Sequence, residues 1–184
     1  MTTPWVQTRD GHDVDLITPD LSAVTIEEAA HALARINRFA GHTRGPVPYS
    51  VAQHSVLVSE HVPPEHALAA LCHDLHEAII GDILSPVKRA LALLGGTDAL
   101  RHLDETMAQA MGWRFGFAPM AKGSIVQEAD LRALVTERRD LLGDVQARPW
   151  GIGVKPWAET IEPWSVATSE REFLLAFRCL GGKP

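Results

Sequence analysis

The sequence predicts an all-α protein with a small β-hairpin near its N-terminus. Apolar residues recur at helical spacing along most of the chain. A Ser or Thr three residues before Glu or Gln is the capping-box pattern that begins helices, and it marks predicted starts at Thr25, Ser50, Ser124 and Ser169. The hairpin is predicted at Asp10-Gly11, because this pair accepts the positive φ angles of a two-residue turn.

The elements are predicted in order from their start and stop signals. Alternating polar and apolar residues form the two strands, 6–9 and 12–16. Gly41 is expected to end the first helix, and Gly81 to end a longer helix that we regard as the central one. Pro63-Pro64 separates that central helix from the helix before it. The predicted helices cover residues 25–40, 50–61, 65–80, 85–94, 98–111, 124–142 and 170–180.

The second half of the chain follows the same rules. Ser85 as cap and Pro86 at the first helical position are typical of a helix start, and Thr97 is expected to cap the next helix. Residues 143–164 are rich in Pro, Gly and Trp and are predicted to form a long ordered loop. Gly181-Gly182 closes the last helix.

Length and composition restrict the class of protein. The 184 residues predict a single domain, 1–184. A net charge of −6 argues against binding of a nucleic-acid polymer over a broad surface. Two cysteines without a Cys-x-x-Cys pair suit a reducing compartment. No signal peptide or apolar run of membrane-spanning length is found, so we expect a cytoplasmic protein that does not enter a membrane.

The chemistry centres on a histidine, an aspartate and a glutamate in an apolar segment. His73, Asp74 and Glu77 lie within the predicted central helix, where His73 and Glu77 would share one face. Burying such polar groups without partners costs about 2–7 kcal/mol each. A salt-bridge network or a metal ion would compensate this cost. Spacing alone favours the structural alternative, a buried His–Asp hydrogen bond.

A metal ion would need further ligands, and the flanking helices offer them. His54 and Asp130 both lie early on well-capped predicted helices, and with His73 and Asp74 they would complete a two-His, two-Asp set. Imidazole and carboxylate donors suit Mn, Fe, Co, Ni or Zn, and such a set leaves positions open for water and a substrate oxygen. An open metal ion lowers the pKa of water and polarises a phosphoryl oxygen.

Charged residues near these ligands suggest roles in phosphate chemistry. Glu77 could move protons for an attacking water or a leaving group, and Asp82 could share that work. Arg38 and Lys88 could neutralise phosphate charge. Arg139 follows Asp130 by about two and a half helical turns, so it could make either a salt bridge or a phosphate contact.

The order His54, His73-Asp74, Asp130 resembles the H…HD…D signature of the HD-domain phosphohydrolases. Arg38-Phe39 and the segment 81–88 extend this resemblance to the small YfbR-like 5′-deoxynucleotidases. The hairpin and segments 36–42 and 136–139 are similar to a branch that includes the DatZ-type dATP triphosphohydrolases. The resemblance covers most of the chain and implies the HD-domain helical bundle.

The resemblance also implies roles for individual residues. It implies a catalytic Glu77 supported by Asp82, and a substrate pocket that contains Arg38, Phe39 and Lys88. Phe39 stands where the nucleotidases have a tryptophan beside the sugar. The implied cofactor is one divalent transition metal, Co, Mn or Zn, and the implied metal ligands are His54, His73, Asp74 and Asp130.

Three functions follow as hypotheses. The first is hydrolysis of a (deoxy)nucleotide by water attack on phosphorus, with release of phosphate from a monophosphate. The alternative is a dNTP or dATP triphosphohydrolase that releases triphosphate or successive phosphates. The second alternative is a non-catalytic helical module in which the cluster is a structural metal site or an ion-pair network. The implied partners are a small nucleotide and a second copy of the chain.

Overall fold

The computed structural model describes residues 3–143 and 148–183, without the side chains of Thr97 and Asp98. Within these residues, a two-stranded antiparallel hairpin precedes eight α-helices and a short 3₁₀ helix at Arg38–Gly41. The predicted all-α class with a small hairpin is therefore confirmed. The elements are β1 (Trp5–Gln7), β2 (Asp13–Asp15), α1 (Ile26–Leu33), α2 (Val51–Glu60), α3 (Pro64–Leu71), α4 (Glu77–Ile80), α5 (Ser85–Leu93), α6 (Thr97–Phe115), α7 (Ile125–Leu141) and α8 (Val166–Cys179).

Helix α2 occupies the centre of the molecule and packs against α3, α7 and α8, while α1 packs against α4 and α8. It is buried nearly all round, including the polar residues Gln53, His54 and Ser55. The main apolar core joins α1, α2, α3, α6 and α8, and its largest members include Ile26, Leu33, Leu71, Met107, Met111, Phe115, Phe173 and Phe177. Helix α2, and not the predicted helix 65–80, therefore has the central position among the helices. Among the described residues, no helix is long and apolar enough to span a membrane.

The hairpin has a longer turn than predicted. Val6 pairs with Val14, and residues 8–12 connect the strands with Gly11 at φ 91°. Glu28 of α1 accepts hydrogen bonds from the Thr8 hydroxyl and the Asp10 backbone N–H. Within the connection, the Thr8 N–H donates to the His12 carbonyl oxygen and the Gly11 N–H to the Thr8 carbonyl oxygen, so three residues, 9–11, form the turn in place of the predicted two.

The four predicted helix caps have different outcomes. Thr25 forms the complete capping box with Glu28, and Ser50 and Ser124 each cap their helix with one hydrogen bond to a backbone N–H. Ser169 is not a cap, because α8 begins earlier, with Ser165 accepting from the Thr168 N–H. Ser169 is fully buried inside that helix.

Helix α1 ends at Leu33, well before the predicted end near Ala40. Asn37 is extended and forms an isolated bridge with Ser50, and the Arg38 N–H donates to the Tyr49 carbonyl at 2.9 Å. Pairing of this segment with the residues before α2 replaces helical hydrogen bonds.

The predicted helix 65–80 is divided into α3 and α4 by a turn at residues 72–76. The N–H groups of Leu75, Glu77 and Ala78 donate to carbonyls three residues back, which is tighter winding than an α-helix. His73 and Asp74 therefore lie on a turn, and the α-helical angle that placed His73 and Glu77 on one face does not apply.

Helices α5 and α6 also differ from prediction. Leu84 is the N-cap of α5, so Ser85 is its first residue and makes no side-chain cap. Helix α6 continues to Phe115, beyond the predicted end at 111, and Gly116 stops it in the left-handed conformation at φ 76°. The predicted capping role of the Thr97 side chain lies outside the described part of the chain.

Candidate metal centre

Two buried histidines face each other at the centre of the candidate site. His54 comes from the first turn of α2 and His73 from the turn after α3, and their Nε2 atoms lie 3.3 Å apart. Asp130 of α7 places Oδ1 3.2 Å from His54 Nε2 and 3.8 Å from His73 Nε2. The ligand atoms of these three residues all lie within 4.8 Å of one another, so the group could hold a metal ion.

Asp74 joins the same group. Its Oδ2 lies 3.1 Å from His73 Nε2 and 3.6 Å from His54 Nε2. Two donors about 2.1 Å from one cation lie about 3.0–3.4 Å apart in tetrahedral or octahedral geometry. The structure thus places Asp74 against both histidines, whereas the group whose ligand atoms all lie within 4.8 Å of one another consists of His54, His73 and Asp130.

The second nitrogen of each imidazole is occupied by an acceptor. His73 Nδ1 lies 2.7 Å from the Ala70 carbonyl oxygen, and His54 Nδ1 lies 2.6 Å from Glu137 Oε1. An oxygen acceptor requires the proton on Nδ1, so in each neutral ring Nε2 keeps its lone pair. Both Nε2 atoms, which lie within 3.8 Å of Asp74 Oδ2 and Asp130 Oδ1, could then ligate a cation.

The electrostatics favour a positive charge at this position. Burial alone would lower the pKa of His73, but the charge of Asp74 and a hydrogen bond with Asp130 raise it well above its ordinary value. Burial would raise the pKa of Asp130, but hydrogen bonds with His54 and His73 hold it well below its usual range. A proton or a metal cation stabilises such a set of groups.

Arg38 is a buried cation beside the cluster. Its Nη1 lies 3.6 Å from Asp74 Oδ2, and its Nη2 donates to Glu137 Oε2 at 3.2 Å. Burial opposes the charge, but Glu137 and Asp74 raise the pKa of Arg38 well above its ordinary value. The guanidinium is therefore held charged next to one of the candidate ligands.

An aromatic pair adjoins Arg38. Phe39 and Ala40 have positive φ angles of 56° and 51°, a costly conformation for residues with a side chain. The Phe39 ring lies 5.7 Å from the Arg38 guanidinium carbon and 6.2 Å from the ring of Trp150. The Phe39 ring thus lies near the Arg38 guanidinium, and its predicted place beside a substrate sugar stays a prediction.

Glu77 is buried without a full set of partners. Its Oε2 has no hydrogen-bond partner among the described residues. Burial, together with the charges of Asp74 and Asp82, raises the pKa of Glu77 to about 10. Burial and the charge of Asp74 raise the pKa of Asp82 against the opposing charge of Arg38, so Asp82, like Glu77, interacts electrostatically with the cluster.

Lys88 and Arg139 have other partners. Lys88 Nζ donates to Asp104 at 3.0 Å, and Asp104 also lies 3.4 Å from His76 Nε2. Arg139 donates to Asp140 and to the carbonyl oxygens of Trp157 and Glu159. Among the described residues, none of the hydrogen bonds of Arg139 reaches the cluster. Its side chain instead joins α7 to the loop before α8, through the carbonyl oxygens of Trp157 and Glu159.

Sequence reasoning missed Glu137, which is fully buried between His54 and Arg38. A signal was available, because Glu137 follows Asp130 by seven residues, which is about two turns along the same face of α7.

The fold and the site define a class: a helical protein with a candidate His–Asp metal centre. The chain is 32% identical to the uncharacterized protein RCAP_rcc00048 of Rhodobacter capsulatus over 157 residues, 80% of this chain and 78% of the relative. It belongs to the same family. It is also 41% identical to the uncharacterized protein YfdR of Escherichia coli over 118 residues, 64% of this chain and 61% of YfdR. No protein-family model matches the chain.

Proposed function

We propose that this protein is a metal-dependent phosphohydrolase of small nucleotides. The observation that carries the proposal is Glu77, a buried carboxyl with one oxygen that has no hydrogen-bond partner within 3–143 and 148–183, near a cluster that could hold a metal ion. A purely structural metal site does not need such a group. Leaving a buried polar atom unsatisfied costs about 1–3 kcal/mol, a cost more often accepted at functional sites.

The proposed cofactor is one divalent transition metal, Co, Mn or Zn, held by His54, His73, Asp74 and Asp130. Two imidazole nitrogens and two carboxylates suit these metals. The cation would supply Lewis acidity toward a phosphoryl oxygen and a lower pKa for the attacking water.

The chain's own residues would do the remaining work. The reaction adds one water to phosphorus, breaks the bond from phosphorus to the leaving oxygen and moves a proton to that oxygen. Arg38 would bind the phosphoryl oxygens, since its charge is maintained by Glu137 and Asp74. Glu77 would hold or donate the proton, with Asp82 in support.

The distribution of cations favours a monophosphate over a triphosphate. A triphosphate requires several positive charges around the pocket. Among the described residues, Arg38 is the cation in contact with the cluster, whereas Lys88 pairs with Asp104 and Arg139 with Asp140. We therefore propose a 5′-deoxynucleotidase-like activity, with triphosphate release as the competing outcome.

The test is a turnover assay with dAMP and dATP in the presence of Mn²⁺, Co²⁺ or Zn²⁺, with separate detection of phosphate, pyrophosphate and triphosphate. We expect phosphate from dAMP, and a loss of about 10²–10⁴-fold in kcat for Glu77→Gln because the proton-handling group is removed. Asp74→Ala should abolish turnover.

Glu65→Gln is the matched control, because Glu65 is an exposed glutamate on the neighbouring helix α3. Its kcat should equal that of the wild type. Triphosphate as the product from dATP would replace the monophosphate proposal. Metal binding without turnover of any nucleotide, with Glu77→Gln changing stability alone, would establish the non-catalytic module.

A further inference from the structure

Glu137 is a fully buried carboxyl residue beside the candidate metal centre. Its side chain is 0% exposed, and its two oxygens serve different partners. Oε1 lies 2.6 Å from His54 Nδ1, and Oε2 accepts from Arg38 Nη2 at 3.2 Å.

An ionised glutamate at this depth needs compensation. The guanidinium of Arg38 and the imidazole of His54, each within hydrogen-bond distance of one carboxylate oxygen, supply this compensation. Breaking such a buried arrangement by removing one partner typically costs about 3–5 kcal/mol. Removing the Glu137 carboxyl would thus leave both Arg38 and His54 without this buried partner.

The contact with His54 has a chemical consequence. A carboxylate at Nδ1 fixes the proton there and leaves the Nε2 lone pair directed at Asp130 and His73. The opposite tautomer would place a hydrogen on Nε2 and block ligation. The hydrogen bond also restricts rotation of the ring, which sits between α2 and α7.

We propose that Glu137 is a positioning residue that fixes the tautomer and orientation of His54 for metal binding. The inference rests on the metal site of the proposed function, but it does not depend on which substrate the protein hydrolyses. Glu137 also accepts a hydrogen bond from Arg38, the candidate phosphate-binding residue. One carboxylate therefore positions both the candidate metal ligand His54 and the guanidinium of Arg38.

The test is the affinity for Co²⁺ alone, measured by competition with a chelator. Glu137→Gln keeps the shape of the side chain, but an amide cannot accept from both His54 and Arg38. We expect Co²⁺ affinity to fall about 10–100-fold, as observed when acceptors behind metal-bound histidines are removed. Glu128→Gln, at an exposed position on the same helix, is the matched control and should bind Co²⁺ as the wild type does.

A second measurement separates positioning from general stability. Thermal unfolding in EDTA reports the stability of the metal-free variants, and a folded Glu137→Gln protein with Co²⁺ affinity within twofold of the wild type would overturn the inference. If this variant does not fold, long-range ¹H–¹⁵N spectra of the Zn²⁺-loaded wild type decide. A protonated Nδ1 on His54 supports the inference, and an unprotonated Nδ1 overturns it.

The outcomes distinguish this inference from the proposed function. Glu137-dependent Co²⁺ affinity in a protein that hydrolyses no nucleotide would remove the function and leave the positioning role. Nucleotide turnover together with Co²⁺ binding unaffected by Glu137→Gln would remove the positioning role and leave the function. A wild-type protein without Co²⁺ affinity would remove both.

Discussion

Glu28 and Glu77 are both buried glutamates, but their partners differ. Glu28 accepts from the Thr8 hydroxyl at 2.5 Å and from the Thr25 backbone N–H at 2.9 Å, and it lies 3.1 Å from His12 Nδ1. Burial would raise the pKa of Glu28, but these hydrogen bonds and one from the Asp10 N–H lower it to about 2. One oxygen of Glu77 has no hydrogen-bond partner in the described part of the chain, and burial with the charges of Asp74 and Asp82 raises its pKa. Hydrogen bonds therefore decide which buried carboxyl is ionised.

The hairpin is attached to α1 through Glu28, so Glu28→Gln should destabilise the fold by about 1–3 kcal/mol. Glu27→Gln is the matched control, because Glu27 is more exposed and makes one surface ion pair with Arg178. The free energy of unfolding in urea measures both variants. Equal values for the two at pH 7 would contradict this role of Glu28.

The same substitution predicts a pH dependence. The pKa of Glu28 in the folded protein is about 2, below the ordinary value of 4.5. Its ionised form therefore contributes fully to the free energy of unfolding above pH 4.5, and this contribution is lost as the pH falls toward 2. The stability difference between the wild type and Glu28→Gln should therefore shrink over this range. Urea unfolding at successive pH values checks it, and a difference that stays constant would be contrary to the expectation.

At the scale of the elements, the end of α4 depends on one glycine. Gly81 has φ 80° and ψ 163°, a conformation that is essentially restricted to glycine, and it turns the chain from Ile80 to Asp82. A Cβ at this position would meet no atom within 4 Å, so the cost of a substitution is confined to the backbone.

We expect Gly81→Ala to destabilise the protein by about 1–3 kcal/mol. Gly153→Ala is the control, because a Cβ there also meets nothing within 4 Å and the backbone has no positive φ. Thermal and urea unfolding compare the two variants. A Gly81→Ala protein as stable as Gly153→Ala would show that the segment relaxes without cost.

At the scale of the whole molecule, the candidate ligands join three separate parts of the fold. His54 lies on α2, His73 and Asp74 on the turn after α3, and Asp130 on α7. A cation bound by all of them would bind the folded chain and not the unfolded one. Metal binding should therefore stabilise the tertiary arrangement, independently of catalysis.

A divalent metal at 100 times its Kd should stabilise the fold by about 2.7 kcal/mol, which raises the Tm by roughly 5–10 °C for a chain of this size. Asp130→Ala should remove most of this rise, whereas Asp13→Ala, at an exposed position in the hairpin, should keep it. Thermal unfolding with EDTA and with Zn²⁺ measures the shift. A rise that Asp130→Ala leaves intact would mean that the metal binds elsewhere.

Self-association and a cytoplasmic location stay predictions.

The sequence by itself determined the class of fold and the set of candidate ligands. Caps such as Thr25 and Ser50 act locally, so the starts of α1 and α2 could be predicted from neighbouring residues. His54, His73, Asp74 and Asp130 were predicted from the resemblance of their order to the HD signature, and the structure places both aspartates within 3.8 Å of the two histidines.

Only the tertiary structure decided where α1 and α3 end and which residues support the ligands. The extended segment at Asn37 exists because it pairs with Ser50, a residue distant in sequence. Glu137 and Asp104 acquire their partners by packing of α7 and α6 against other elements. Such contacts depend on how whole helices are positioned relative to one another. Local sequence patterns do not encode these positions, because long-range hydrogen bonds and burial override local propensity.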